Sequence, residues 1–451
     1  MGKLFFDAAL LPSGWAEAVQ IDIGEDGVIA SVKPGARRSA SAERVGIGIP
    51  GMPNLHSHAF QRGMAGLAEV SGDTPDSFWT WRQVMYRFLE RLTPDDVEAI
   101  AGQLYVEMLE AGFTSVGEFH YLHHKPEGLP YRELGEMASR IAAAAEDSGI
   151  GLTLLPVLYF GGGFGNQPLQ PQQRRFASTW DCYIRLLEAA ERHVEGLLHA
   201  RVGVAPHSLR AVSPDLLAQL LRHRPSGPVH IHIAEQTKEV EDCLAWCRQR
   251  PVEWLIENCR VDERWCLVHA THMTPSESAA VTRSGAVVGL CPQTEANLGD
   301  GIFAGPGYLA AGGRIGIGTD SHIRVCAAEE VRTLEYSQRL RDRRRNVLGK
   351  AGASTGRLLY ERSLLGGAQA LGRAAHGLEV GQIADIVALE PMHPSLVWRS
   401  GDALLDGWLF CGDRSCVRDV WVAGRKVVSE GRHIRRDEAR ERFAKTMRRL
   451  I

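Results

Sequence analysis

Paired cysteines, a dominant charge and long apolar runs are all missing from this sequence. Its nine cysteines are odd in number and scattered, so no framework of bridges is legible and a reducing compartment is expected. The formal net charge is −3 over 451 residues, which gives no electrostatic support to a nucleic-acid partner. No run approaches the roughly 18 apolar residues that a membrane span requires. The opening MGKLFFDAALLPSGW lacks the charged start, long apolar stretch and small-residue cleavage site of a secretory signal. The expectation is a cytoplasmic protein that binds neither nucleic acid nor membrane. The basic stretch RLRDRRRN (339–346) is short and broken by Asp342, so it reads as a solvated helix face. Nucleotide fingerprints are absent too. GGGFGNQ (161–167) is glycine-rich but has neither the dinucleotide nor the phosphate-loop spacing; it reads as a flexible loop over the mouth of a barrel.

What is present is an ordinary globular composition, 44% hydrophobic and 23% charged, on a chain long enough for one large domain and a smaller one. Both ends read as β: LFFDAALL, AVQIDIG and GVIASVKPG at the start, ADIVALE and VRDVWVAGRKVVSEG near the end. The middle alternates short apolar strands with helical stretches, the mark of parallel βα units. Candidate strands lie at 49–55, 114–119, 152–159, 201–205, 228–233, 264–269, 286–290 and 314–319. Eight such units predict an α/β fold: a (β/α)8 barrel over 49–375, flanked by a small β-sandwich domain made of 1–48 and 376–451. A doubly wound open sheet is the alternative. The last segment, RRDEARERFAKTMRRLI, reads as an amphipathic charged helix.

Barrels of this kind carry their chemistry at the C-terminal ends of the strands, and ligand-type residues fall there. Strand one ends in His56-Ser57-His58, strand five in His232 with Glu235 three residues on, strand six in His269 and strand eight in Asp320. In an extended segment His56 and His58 point the same way. Two polar residues on an exposed strand face are common, but the recurrence at strands five, six and eight points to a metal centre. Imidazole and carboxylate suit a zinc- or iron-like divalent ion. His322 remains open between structural and functional roles, and His272 reads as a loop residue. Cys243 and Cys247, spaced CxxxC without a partner pair, read as one buried helical face.

In combination, PGMPNLHSHAFQRG, HIHIAEQ, LVHATH, GIGTDSH and GLEVGQIADIVALEP resemble the amidohydrolase superfamily. The resemblance covers nearly the whole chain. It implies His56, His58, His232 and Asp320 as ligands of one divalent ion, zinc rather than iron because the reaction has no redox step. It implies Glu235, His269 and Asp320 as the catalytic, proton-transferring residues. Strand four, RVGVAPHSLRA, has no lysine, which favours the one-metal, deaminase-like type.

Four longer stretches, NLHSHAFQRGMAGLAE, SFWTWRQVMYRF, GEFHYLHH and APHSLRAV, are similar to the superfamily branch that deiminates N-formimino-L-glutamate. Hydrolysis to the N-formyl amino acid and ammonia, within histidine degradation, is the expected activity. Two carboxylates call for arginine forks. Arg210 and His207 on the loop after strand four suit that task. Tyr121 after strand two offers a hydroxyl, and the resemblance adds Arg82 and Gln61 as substrate contacts. Arg62 stays unassigned. The partner is thus a small dicarboxylate, with a homodimer as the expected assembly. The alternative is another one-metal deaminase acting on a purine- or triazine-like ring, which would favour stacking and amide contacts over two arginines.

Overall fold

The computed structural model describes residues 2–73, 75–373 and 377–451. Its centre is a parallel barrel, whose strands are numbered here β1 to β8. They are Met52–Ser57 (β1), Phe113–His120 (β2), Gly151–Leu158 (β3), Arg201–Val202 continued by Ala205–Pro206 (β4), Val229–Ile233 (β5), Trp265–His269 (β6), Val287–Leu290 (β7) and Arg314–Ile317 (β8). Strands β1 to β4 pair in one parallel sheet and β5 to β8 in another. Two parallel bridges, Val204 with Val229 and Ser57 with Asp320, join the sheets into a ring. β2 and β3 are buried along their whole length, because helices cover the outside and side chains fill the inside. Leu152, Leu154, Leu155 and Val157 are at most 1% exposed. Each contributes about 1.5–3 kcal/mol relative to an exposed side chain.

The structure corrects the expected strand at 49–55, which is two strands divided at Gly51. Glu43–Pro50 pairs with terminal strands, whereas β1 belongs to the barrel. The hand-over takes one residue: Gly51 N–H donates to Asp385, and Met52 N–H donates to Gly112 before β2. A Cβ at Gly51 would lie 2.2 Å from the Thr114 side chain, so only glycine passes here. β4 is interrupted at residues 203–204, where Gly203 is hemmed in by Leu155 and Pro228.

Strands from both ends of the chain share one eight-stranded sheet. Its order is Arg432–His433, Arg425–Ser429, Val417–Val422, Ile386–Leu389, Glu43–Pro50, Gly2–Leu11, Gly14–Ile23 and Ile29–Lys33. Leu4, Phe6, Val19, Ile21, Ile386 and Trp421 belong to a core cluster separate from that of the barrel. The expected boundary at 375–376 lies outside the described residues. The final helix, Arg436–Leu450, packs on Pro94–Glu110, with Arg442 paired to Glu98 and Asp147. The basic stretch 339–346 ends the helix Ala327–Asp342, where Arg339 pairs with Glu335 and Arg341 with Asp342. No helix among the described residues is long and apolar enough to cross a membrane.

Candidate active site

The seam that closes the barrel also assembles its most polar cluster. His58 N–H donates to the Asp320 carbonyl at 3.2 Å, and Asp320 N–H donates to the His56 carbonyl at 3.0 Å. Strand alternation aims His56 in β1 and His58 just past it inward, where His232 at the end of β5 meets them. The three Nε2 atoms form a triangle with edges of 3.1, 3.3 and 3.1 Å. Asp320 Oδ1 lies 3.3 Å from His58 Nε2 and 3.6 Å from His56 Nε2. Past the strand ends the backbone turns left-handed at Ala234 (φ 50°), His269 (φ 69°) and Asp320 (φ 47°), a strained conformation that sites of chemistry often hold.

The tautomers show that these groups suit a cation. His58 Nδ1 donates to the Phe119 carbonyl at 3.0 Å, and His232 Nδ1 donates to the His207 carbonyl at 3.1 Å. Each ring therefore presents a bare Nε2 lone pair to the other. Burial pushes the His58 imidazole down to about 3 and lowers His56 and His232 well below the usual range, so protonation does not relieve the contact. Facing lone pairs repel unless a positive ion lies between them. Three imidazoles and one carboxylate are a donor set that fits a zinc-like ion, which can expand to a fifth ligand.

Beside this cluster His269 lies between carboxylates. Its Nε2 is 3.7 Å from Glu235 Oε1 and 3.7 Å from Asp320 Oδ2, and its Nδ1 is 3.3 Å from Glu295 Oε1. Burial works against charge on this imidazole, but Glu235, Glu295 and Asp320 prevail and push it up to about 10. Burial pushes the Asp320 carboxyl up to about 7, with His269 opposing and Glu235 and Glu295 adding to the shift.

A cavity of about 650 Å³ opens above this floor, and Gln61, Arg82, Tyr121, His207 and Arg210 all line it. Gln61 Nε2 donates to the Tyr121 hydroxyl at 2.9 Å. The His207 ring centre is 5.0 Å from that of His232. Arg210 Nη2 is 3.9 Å from Glu235 Oε2. The capped helix Phe78–Leu89, inserted after β1, carries Arg82 into the wall, its guanidinium 4.5 Å from the Trp79 ring centre. Arg210 lies over the same ring at 5.9 Å. The Nε atoms of both arginines are buried without a partner, and Arg82 is in no ion pair among the described residues.

Arg62, His322, His272, Cys243 and Cys247 fall outside the cavity. Arg62 pairs with Glu107 at 2.7 Å. His322 is a buttress: its Nε2 accepts from His58 N–H at 3.2 Å and its Nδ1 faces Thr319 Oγ1 at 2.9 Å. His272 faces the Asp300 carbonyl at 2.8 Å. Cys243 is buried and Cys247 half-buried on one helix, their sulfurs 4.0 Å apart. The glycine-rich loop does reach the mouth, where Phe164 stacks on Trp246 at 5.5 Å. Two supporting carboxylates escaped the sequence reading. Glu295 meets His269 and also caps Cys291 N–H at 2.9 Å. Glu118 binds Ser57 Oγ at 2.6 Å and Ala59 N–H at 2.7 Å, bracketing His58.

Comparison with known proteins fixes the family. The amidohydrolase family model matches residues 47–427. The chain belongs to the amidohydrolase family. Ahead of that match, residues 1–46 of this amidohydrolase match the N-terminal domain of formimidoylglutamate deiminase HutF. A formimidoylglutamate deiminase of Pseudomonas aeruginosa is 52% identical over 453 residues, covering 100% of both chains. A crystal structure of an amidohydrolase from Brucella melitensis superposes with a TM-score of 0.97 at 52% identity, again over 100% of both chains. An adenosine deaminase from Xanthomonas campestris, solved with bound zinc, shares the fold at a TM-score of 0.82 and 22% identity over 99% of this chain and 98% of its own.

Proposed function

We propose that this amidohydrolase hydrolyses N-formimino-L-glutamate to N-formyl-L-glutamate and ammonia, in histidine degradation. The observation that carries the substrate is the pair Arg82 and Arg210 in the wall of a cavity whose floor is the histidine–aspartate cluster. A linear molecule with a carboxylate at each end of its backbone matches two guanidinium forks above one reactive centre. The end-to-end likeness to the Pseudomonas aeruginosa deiminase supports the same reading.

His56, His58, His232 and Asp320 would hold a single divalent ion, zinc rather than iron since no electron is transferred. Such an ion supplies a nucleophilic water near neutral pH. Gln61, Tyr121 and His207 position the substrate next to the floor, and Arg82 and Arg210 hold its carboxylates. Water adds to the formimino carbon as its proton passes to Asp320, and His269, charged between Asp320 and Glu235, relays a proton from one to the other. Glu235, beside His269, delivers a proton to the terminal amidine nitrogen. The bond from carbon to that nitrogen breaks, the adduct's hydroxyl proton passes to Asp320, ammonia leaves and the formyl group stays on glutamate.

A product assay tests this. Ammonia with N-formyl-L-glutamate is expected; formamide with L-glutamate would mean that the other C–N bond is cut. Failure to turn over this substrate with the ion bound would favour a purine- or triazine-like ring stacked on Trp79. A separately cored β-sandwich unit of residues 1–48 and 376–451, a homodimer and a cytoplasmic location complete the proposal. The distinct apolar cluster of the terminal strands supports the first and nine unbridged cysteines the last. The mass in solution tests the dimer.

A further inference from the structure

Tyr159 stands in the cavity wall with no part in the steps above. It follows β3, is 6% exposed, and packs edge-on against His207 with ring centres 4.7 Å apart. Its phenol oxygen accepts a hydrogen bond from Gln173 Nε2 at 2.8 Å. The Gln173 amide has one orientation only. Its Oε1 accepts the Gln170 backbone N–H at 2.8 Å, so the NH2 group must face Tyr159. The phenol is therefore an acceptor toward Gln173, and its own proton points elsewhere. No acceptor among the described residues receives that proton. The open direction is the cavity, where Arg82 and Arg210 both act electrostatically on the phenol.

We infer that Tyr159, oriented by Gln173, is a specificity-determining donor to one substrate carboxylate, completing with Arg82 and Arg210 a cradle that offers donors only. The inference rests on the substrate reading above. A carboxylate satisfies all three groups. A substrate lacking it leaves a buried hydroxyl proton unmatched, which is how a polar site rejects near neighbours.

The test is steady-state kinetics of the metal-loaded wild type, Tyr159→Phe and Gln173→Leu. The substrates are N-formimino-L-glutamate, N-formimino-4-aminobutyrate and N-formimino-L-2-aminobutyrate, the last two each lacking one carboxylate. For Tyr159→Phe we expect KM for the dicarboxylate to rise about 10- to 50-fold, as for a lost hydrogen bond to a charged group, with kcat within about threefold. That penalty should vanish for whichever analogue lacks the carboxylate held by Tyr159. Gln173→Leu should show the same pattern at a smaller amplitude, with unchanged thermal melting as the check on folding. An equal penalty on all three substrates, or an unchanged KM for Tyr159→Phe, overturns the inference alone. A wild type that leaves N-formimino-L-glutamate untouched overturns the substrate reading along with it.

Discussion

The floor and the wall of the cavity are built on different principles. Floor residues sit at or just past strand ends, in a ring closed by backbone hydrogen bonds, and the His58, His232 and His269 imidazoles are each fixed by a carbonyl or carboxylate. The wall comes from segments inserted between strands: a helix with three aromatic residues around Arg82, the loop that carries Arg210, and the turn that supplies Gln173. Reactive groups must be held to within fractions of an ångström, and strands do that best. Groups that choose the substrate can stand on elements that vary without disturbing the ring. The difference teaches that turnover and recognition are separable here, and mutations should part them.

The largest effect is expected on the floor. Glu235→Gln should lower kcat by about 10²- to 10⁴-fold, the range for a lost general acid–base, while elemental analysis still finds the ion. Normal turnover would remove Glu235 from its role. Arg82→Met in the wall should do the opposite, raising KM about 10- to 100-fold with kcat almost unchanged, since a charge-assisted contact is lost. If Arg82→Met instead depressed kcat and spared KM, the division between floor and wall would collapse. Gly366→Ala sharpens it from the scaffold side. A Cβ there would lie 1.9 Å from the Ile315 carbonyl oxygen of β8. Denaturant melts should show a loss of about 1–3 kcal/mol from overpacking, with KM preserved in the folded fraction. Arg442→Ala, far from both regions, should change stability by at most about 1 kcal/mol, as exposed ion pairs do, and leave both kinetic constants alone.

This division also explains what could be read from the sequence. His56 and His58 were legible because strand alternation fixes their direction, and His232, Glu235, His269 and Asp320 because each lies at or just past the end of an apolar run. Supporting residues follow no such spacing. Glu295 meets His269 across 26 positions and Glu118 meets Ser57 across 61. Only the folded ring brings them together. Gln173 was invisible because its importance lies in a backbone contact to Gln170 that fixes the direction of its amide. The boundary at Gly51 was hidden because one apolar stretch serves two sheets, and the broken β4 because valines flank the glycine that interrupts it on both sides. Arg82 was placed by resemblance; its aromatic neighbours alone read equally well as packing.

The bridge between Ser57 and Asp320 has a bearing on how the protein matures. The first two histidines of the cluster leave the ribosome long before its aspartate, and they cannot form the complete ligand set without it. The proposed four-ligand set is complete only when the last barrel strand docks beside the first, a contact of very long sequence separation, the kind that slows folding. Once the circle is complete, a bound ion acts as a clasp on that same join.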